Sequence, residues 1–348
     1  MRSVLMRALL STCLLIPPVF GLGLKHMLPL ALTSLLFSTA TAIANDAVAT
    51  ATCNGRAEYC TRSYSNITFV GSHDSPFVGI TPSDNQDIDI PAQLDMGVRF
   101  LQAQTHHALL DDSVLEICHT SCLLKDAGTL ESYLNILKNW LDANPNEVLT
   151  VLLTNGDSVS ISEFGDTFSR ANITQFAFVP PSNPLSIDSW PTLGDLISSG
   201  KRLVVFLGMY LPLVPSVSSR PNVGVTTVDY GADTNQVGYI LNEFDYYFET
   251  PYDVTDPTFP NCNIDRPSGA SATGRMYIVN HFLDVDILGI DVPDREAAAR
   301  TNAVSGEGSI GAQAAKCEAL YDRAPNAILL DFVDQGDAIA AQNELNGF

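Results

Sequence analysis

Two histidines stand where short apolar runs give way to small polar residues. The first lies in Phe69-Val70-Gly71-Ser72-His73-Asp74-Ser75-Pro76, the second in Leu115-Glu116-Ile117-Cys118-His119-Thr120-Ser121-Cys122. An imidazole titrates near neutral pH and so can move protons. Asp74 adds a negative charge beside His73 that can orient or tune the ring, and a Cys118–Cys122 bridge would stiffen the loop that carries His119. Two imidazoles at two strand ends suit cleavage of a phosphodiester. One removes the proton of the attacking hydroxyl and the other protonates the leaving oxygen, each transfer contributing on the order of 10²–10⁴ in rate. Taken singly, each histidine also fits a plainer role: His73-Asp74 as a loop or capping pair, His119 as a ring hydrogen-bonded inside a disulfide loop.

Weaker candidates follow. Asn280-His281 ends a later apolar run, and either lines the pocket or satisfies a strand end. Tyr246, Tyr247 and Tyr252 have the shape to stack on an inositol or sugar ring, with packing the plainer alternative. His106-His107 with Asp111-Asp112 offers metal-ligand types, although a solvated hairpin explains the same residues.

The elements that must hold these residues are legible in the hydropathy pattern. Strand candidates fall at 67–71, 98–103, 114–118, 147–153, 202–207, within 238–248, at 275–282 and at 327–332. Their apolar stretches are continuous, which indicates strands covered on both faces. Leu130, Tyr133, Leu134, Leu137 and Leu141 recur at helical spacing, with Thr129 as N-cap and Asn144-Pro145 as the stop. Segments 310–322 and 337–345 are further helices. Eight strands with intervening helices predict an α/β fold, a (β/α)₈-type barrel; an open doubly wound sheet shares the local signature. In such barrels the strand carboxyl ends carry the site. Polar, Pro-containing stretches at 179–191, 211–233 and 251–271 read as surface loops of one domain.

The order strand–Gly-Ser-His-Asp-Ser, then Asp95-Met96-Gly97-Val98-Arg99-Phe100-Leu101, then strand–Cys-His, resembles the X-region of phosphatidylinositol-specific phospholipases C. It is most similar to the secreted fungal branch of phospholipase-C-like phosphodiesterases. Phe248-Glu249-Thr250-Pro251-Tyr252, Tyr277 to Asp284 and Leu329-Leu330-Asp331-Phe332 extend the likeness over roughly residues 53–345. The resemblance implies an irregular TIM barrel and a two-histidine mechanism. In it His73 is the general base, Asp331 the carboxylate that orients it, His119 the general acid and Asp74 an acidic helper. Asn280, His281 and Tyr252 then become candidates for contact with substrate. One departure stands out. Where the family places an Asp and an Arg, or two acidic calcium ligands, this chain has Gln102 and Gln104. An amide donates hydrogen bonds but brings no charge, and loss of one oxyanion donor typically costs about 2.7–4 kcal/mol. Two glutamines also make a poor calcium site. No cofactor and no obligate calcium are therefore expected, and Lys125 and Arg275 are the candidates for a compensating cation. A barrel that binds a lipid or sugar phosphate without efficient turnover is the rival expectation.

The bulk composition is compatible with a secreted hydrolase. Among 348 residues, 46% are hydrophobic and 16% charged, a globular balance. Residues 1–44 contain no acid. They hold two apolar runs, 4–15 and 27–37, each too short to span a bilayer, and small residues follow the second. That layout predicts a signal peptide over 1–44, with Met27 as a possible true start, and a single domain over 45–348. The leader holds three of the 18 basic residues; the remaining 15 against 39 acids leave a charge of −24. Such a surface repels nucleic acid and anionic membranes. No stable membrane span is expected, and a monomer is. Behind a secretion signal, Cys53, Cys60, Cys118, Cys122, Cys262 and Cys317 read as disulfides, paired in that order by sequence proximity, rather than as a zinc site. Asn66 and Asn172 head N-glycosylation sequons.

Overall fold

Interior-facing side chains on eight parallel strands change from apolar to polar at one level, and that change organises the molecule. The computed structural model describes residues 52–209 and 237–348; the expected leader and the expected loop at 211–233 lie outside them. The strands in chain order are β1 (Phe69–Ser72), β2 (Phe100–Ala108), β3 (Asp111–Cys118), β4 (Asp126–Thr129), β5 (Leu149–Asn155), β6 (Leu203–Met209), β7 (Ile240–Asn242), β8 (Tyr247–Glu249), β9 (Met276–Asn280), β10 (Asp284–Ile287), β11 (Ile290–Pro293) and β12 (Ala327–Leu330). Eight of them form a parallel sheet in the order β7-β6-β5-β2-β1-β12-β9-β8. Its two end strands, β7 and β8, follow one another in the chain across a single helical turn, Glu243–Tyr246, and no pairing joins them among the described residues. The barrel is therefore irregular and open at this seam.

The strand count expected from sequence is reached by a different route. The run at 114–118 is β3, antiparallel to β2 and outside the barrel, because β2 continues past the barrel rim and doubles back at Leu109-Leu110. The run within 238–248 supplies two staves, β7 and β8, instead of one.

Period-two alternation divides the core. Leu149, Val151 and Leu153 of β5 face outward. They pack with Leu134, Leu137 and Leu141 of the helix Leu130–Ala143 and with Phe164 and Phe168 of the helix Ile161–Arg170. Thr129 caps the first of these helices as expected, its hydroxyl accepting from Ser132 N at 3.1 Å. Leu152 faces inward with Phe100, Phe206, Leu241, Tyr247, Ile278 and Leu329. Below this layer Tyr64 stacks on Trp190 at 4.7 Å and plugs the amino end of the barrel. Above it, the next inward position carries a polar group or glycine on every stave: His73, Gln102, Thr154, Gly208, Glu243, Glu249, Asn280 and Asp331.

Candidate active site

Each of three potentially reactive side chains is followed by a residue with left-handed backbone: Asp74 (φ 44°) after His73, Thr120 (φ 60°) after His119, Phe332 (φ 48°) after Asp331. For non-glycine residues this conformation costs roughly 1–2 kcal/mol. It turns the chain sharply at the strand end and leaves the preceding side chain at the cavity mouth.

His73 Nδ1 lies 2.9 Å from Asp331 Oδ1, which also accepts from Asn85 Nδ2 at 3.1 Å. The ring lies flat on Phe282, centroids 3.7 Å apart. On its other side Nε2 is 3.6 Å from Asp74 Oδ2, and His119 Nε2 is 3.2 Å from the same oxygen. The two imidazoles thus meet over one buried carboxylate. His119 packs edge-on against Phe77. Its Nδ1 is buried without a partner among the described residues.

Charge follows from this packing. Burial pushes the His73 ring down, but the Asp74 and Asp331 carboxylates, the hydrogen bond with Asp331 and the Asp284 charge outweigh it and raise His73 to about 9. Burial raises Asp74, yet the two histidines and Gln104 hold it below the usual carboxylate range. Asp331 is raised, chiefly by burial, against the pull of His73 and Asn85. Asp284 rises to about 7, first through burial and then through the Asp331 charge.

Gln102 and Gln104 clamp the loops. Gln102 Oε1 accepts from Asp74 N at 2.7 Å, and its Nε2 donates to Thr154 Oγ1 at 3.2 Å. Gln104 Nε2 donates to Asp74 Oδ2 at 2.7 Å, while its Oε1 accepts from Thr120 N at 3.0 Å. One amide therefore ties the His73 turn to the His119 turn. Both glutamines line the cavity, as do Asn280 and Tyr252.

Neither expected cation reaches the histidines. Lys125 is held 2.5 Å from Asp84. Arg275 precedes β9 at the opposite end of the barrel and donates to Phe244 O. Among the described residues, Arg266 is the one Arg or Lys that lines the cavity. Its Nε donates to Glu249 Oε2 at 2.9 Å, and its guanidinium lies 4.3 Å over Tyr252. Asn280 Nδ2 donates to Glu249 Oε2 as well, at 3.1 Å. Glu243 completes this group. Burial first, and Glu249 second, push it well above the usual carboxylate range. A Cβ on Gly208 would fall 2.0 Å from Glu243 Oε2, so only glycine leaves room for that carboxyl.

One expected substrate contact is corrected, and in two other places the plainer reading holds, packing for Tyr246 and Tyr247 and a hairpin for residues 106–112. His281 is fully buried away from the cavity: Nδ1 meets Gln313 Oε1, Nε2 lies 2.9 Å from Thr301 O, and Phe259 covers the ring. With both nitrogens committed it has none left for substrate. Tyr246 and Tyr247 are core residues. The carboxylates that meet His106 and His107 are Asp157 and Glu163, not Asp111 and Asp112. Glu116 lies near Cys118 and Cys122, whose sulfurs are bonded to each other. The other bridges are Cys53–Cys60 and Cys262–Cys317.

Sequence reasoning missed Asn85, Phe282, Glu243, Arg266 and Asp284. Glu243 was open to discovery: it is the first inward position past Leu241, two residues on, as His73 is past Gly71. Arg266 and Asn85 arrive from loops, where no periodicity points to them.

The chain matches the family described as PI-PLC X 1 over residues 59–212 and 219–346. It is 50% identical over 296 residues to a PI-PLC X domain-containing protein 1 of Arthroderma benhamiae, covering 85% of this chain and 89% of that one. A second protein of the same fungus, named an uncharacterized secreted protein, is 39% identical over 324 residues, covering 88% and 68% of the two chains. Three disulfides fit an extracellular protein as well. Among solved structures, a double mutant of the phosphatidylinositol-specific phospholipase C from S. aureus superposes with a TM-score of 0.50 at 18% identity, over 83% of this chain and 94% of that one, a likeness of fold. On the length of the family match and the identity to its relative, the chain belongs to the PI-PLC X domain family.

Proposed function

We propose that the protein is a secreted phosphodiesterase that cleaves a phospholipid by two-histidine acid–base catalysis. The observation that carries this reading is the pair of imidazole Nε2 atoms at 3.6 and 3.2 Å from one oxygen of Asp74. A phosphoryl group seated above that carboxylate lies between both rings. His73, oriented by Asp331, takes the proton of the attacking substrate hydroxyl as its oxygen bonds to phosphorus. His119 delivers a proton to the leaving oxygen as the second phosphorus–oxygen bond breaks. Asp74 holds both rings in register and balances their charge. Gln102 and Gln104 fix the two turns, and Asn280 and Tyr252 contact the polar head of the substrate. No step calls for a metal or an organic cofactor.

Apolar side chains support a lipid substrate. Ile80, Leu110, Leu123 and Leu288 are exposed in turns or bends, and Ile290 is exposed at the start of β11. In this reading residues 1–44 are removed as a signal peptide, with Met27 as the alternative start. The remaining domain acts as a monomer, glycosylated at Asn66 and Asn172, whose side chains are both exposed.

The test is turnover of phosphatidylinositol and of simpler phosphodiesters by the purified protein, with and without chelator. His73→Ala and His119→Ala are each expected to lower kcat by on the order of 10²–10⁴. Unchanged turnover in either variant removes that residue from the mechanism. The commitment of Lys125, Arg275 and Arg266 to carboxylates or carbonyls favours a second reading, a phosphate-binding barrel with little turnover. Tight phosphate binding by a parent protein that cleaves none of these diesters would establish it.

A further inference from the structure

The cavity has a third histidine that the mechanism leaves unused. Alternation along β2 puts His106 on the face of Gln102 and Gln104, and it lines the same cavity as His73 and His119. Its ring lies across the end of β5 over Gly156, where a Cβ would fall 2.3 Å from Cε1. Any other residue at 156 would displace the ring. His106 Nδ1 is 3.1 Å from Asp157 Oδ1, and the other Asp157 oxygen accepts from His107 N at 2.8 Å. A carboxylate only accepts, so the proton of that contact sits on Nδ1. Nε2 has no hydrogen-bond partner among the described residues, and the residue lines the cavity. Glu116 lies directly across the strand pair from His106, adding a second acidic group on the same face. His107, on the opposite face, is engaged with Glu163.

We propose that His106, held by Asp157, is the anion-binding group of this cavity. As an imidazolium it donates from Nε2 to a non-bridging phosphoryl oxygen and supplies the positive charge that Gln102 and Gln104 do not. A phosphodiester transition state gathers negative charge on those oxygens, and preorganised cationic donors are what stabilise it. Asp157 fixes the orientation of the ring, and an arriving phosphate, an acceptor only, pairs with a donor at Nε2. The proposal rests on the phosphodiesterase reading for the identity of its ligand, but phosphate binding tests it separately.

The experiment measures inorganic phosphate binding by calorimetry, turnover of a soluble phosphodiester, and thermal unfolding in the parent, His106→Gln, His106→Arg and Asp157→Asn. Loss of a charge-assisted donor predicts phosphate binding and kcat/KM at least about tenfold weaker in His106→Gln. His106→Arg is expected to recover most of both, and all variants to unfold near the parent temperature. Asp157→Asn should weaken binding as well, because the ring loses the carboxylate that orients it. Phosphate affinity within about twofold of the parent in His106→Gln overturns the proposal, as does equal loss in the Gln and Arg variants with lowered unfolding temperature, which marks a structural clip. If His106→Gln matches the parent while His73→Ala is dead, the proposal alone falls. If phosphate binding needs His106 but no diester is cleaved, the phosphodiesterase reading alone falls.

Discussion

At the scale of single residues, the environment of His73 sets the pH dependence. The ring titrates at about 9 because Asp74 and Asp331 outweigh the burial that acts against its charge. At pH 7 only about one ring in a hundred is neutral and able to act as base, by the two-unit difference. On the proposed two-histidine mechanism, activity of the unliganded protein should therefore climb with pH toward 9. Asp74→Asn removes the first-ranked charge among those that raise the ring, and should move the His73 titration, followed by NMR of the imidazole, toward its ordinary 6.5. The rising limb of kcat/KM should move to lower pH with it, at a reduced plateau. An unmoved titration would show that Asp74 does not govern His73. Stability runs the opposite way: a raised folded value contributes stability that is full below pH 6.5 and is lost as pH rises through about 9. The histidines were legible in sequence because both sit where an apolar run ends. The backbone strain that aims them was not, since Asp74, Thr120 and Phe332 take a conformation usually marked by glycine. Arg266 stayed hidden because a loop brings it to Glu249 across 17 residues.

At the scale of elements, the parallel staves could be read from continuous apolar runs, but their number came out right through two opposite misreadings. A run such as Leu115 to Cys118 has the composition of a barrel strand, and nothing local shows that its partner is antiparallel. Gly238 to Phe248 reads as one strand because the turn Glu243–Tyr246 that splits it is itself half apolar. The shortest and the longest disulfide loops illustrate how elements serve different ends. Cys118–Cys122 closes a loop with a sequence separation of 4, Cys262–Cys317 one of 55. Loop-closure entropy grows with length, giving about 2 kcal/mol for the first and about 4 kcal/mol for the second. Replacing Cys262 and Cys317 by alanine should thus lower stability markedly in denaturant titration, with kcat per folded molecule kept. Replacing Cys118 and Cys122 should do the reverse, because that bridge shapes the turn that carries His119. Equal kcat in the two double variants would show that the short bridge does not position the acid.

At the scale of the whole molecule, two opposed features meet at the cavity mouth. The loop carrying Ile80 is fixed to its neighbours on both sides: Lys125 donates to Val78 O, and Arg295 donates to Gly79 O at 3.2 Å and pairs with Asp87. Leu123 belongs to the loop that leads into Lys125, and Leu288 tips the β10–β11 hairpin that ends just before Arg295. Leu288 is 99% exposed and Leu110 100% exposed. In the lipid-substrate reading these exposed apolar tips are the surface that meets the lipid phase. Yet Asp111, Asp112 and Asp286 stand beside them, and the domain after residue 44 carries a charge of −24, the 15 basic residues left by the leader against 39 acids. Contact with a neutral, zwitterionic lipid surface relieves that conflict, whereas an anionic surface aggravates it. The double variant Leu123→Asp/Leu288→Asp should therefore lose at least about tenfold in cleavage of substrate held in phosphatidylcholine vesicles, the fold-change of about 1.4 kcal/mol of lost apolar burial, less than one buried leucine contributes. Short-chain soluble substrate should be cleaved by the variant at nearly the parent rate, since neither leucine lines the cavity. Adding anionic lipid to the vesicles should slow the parent at low salt and matter less as ionic strength rises and the Debye length falls below about 10 Å. Equal losses on vesicle and soluble substrates would place the two leucines in the fold of the site and not at a lipid surface.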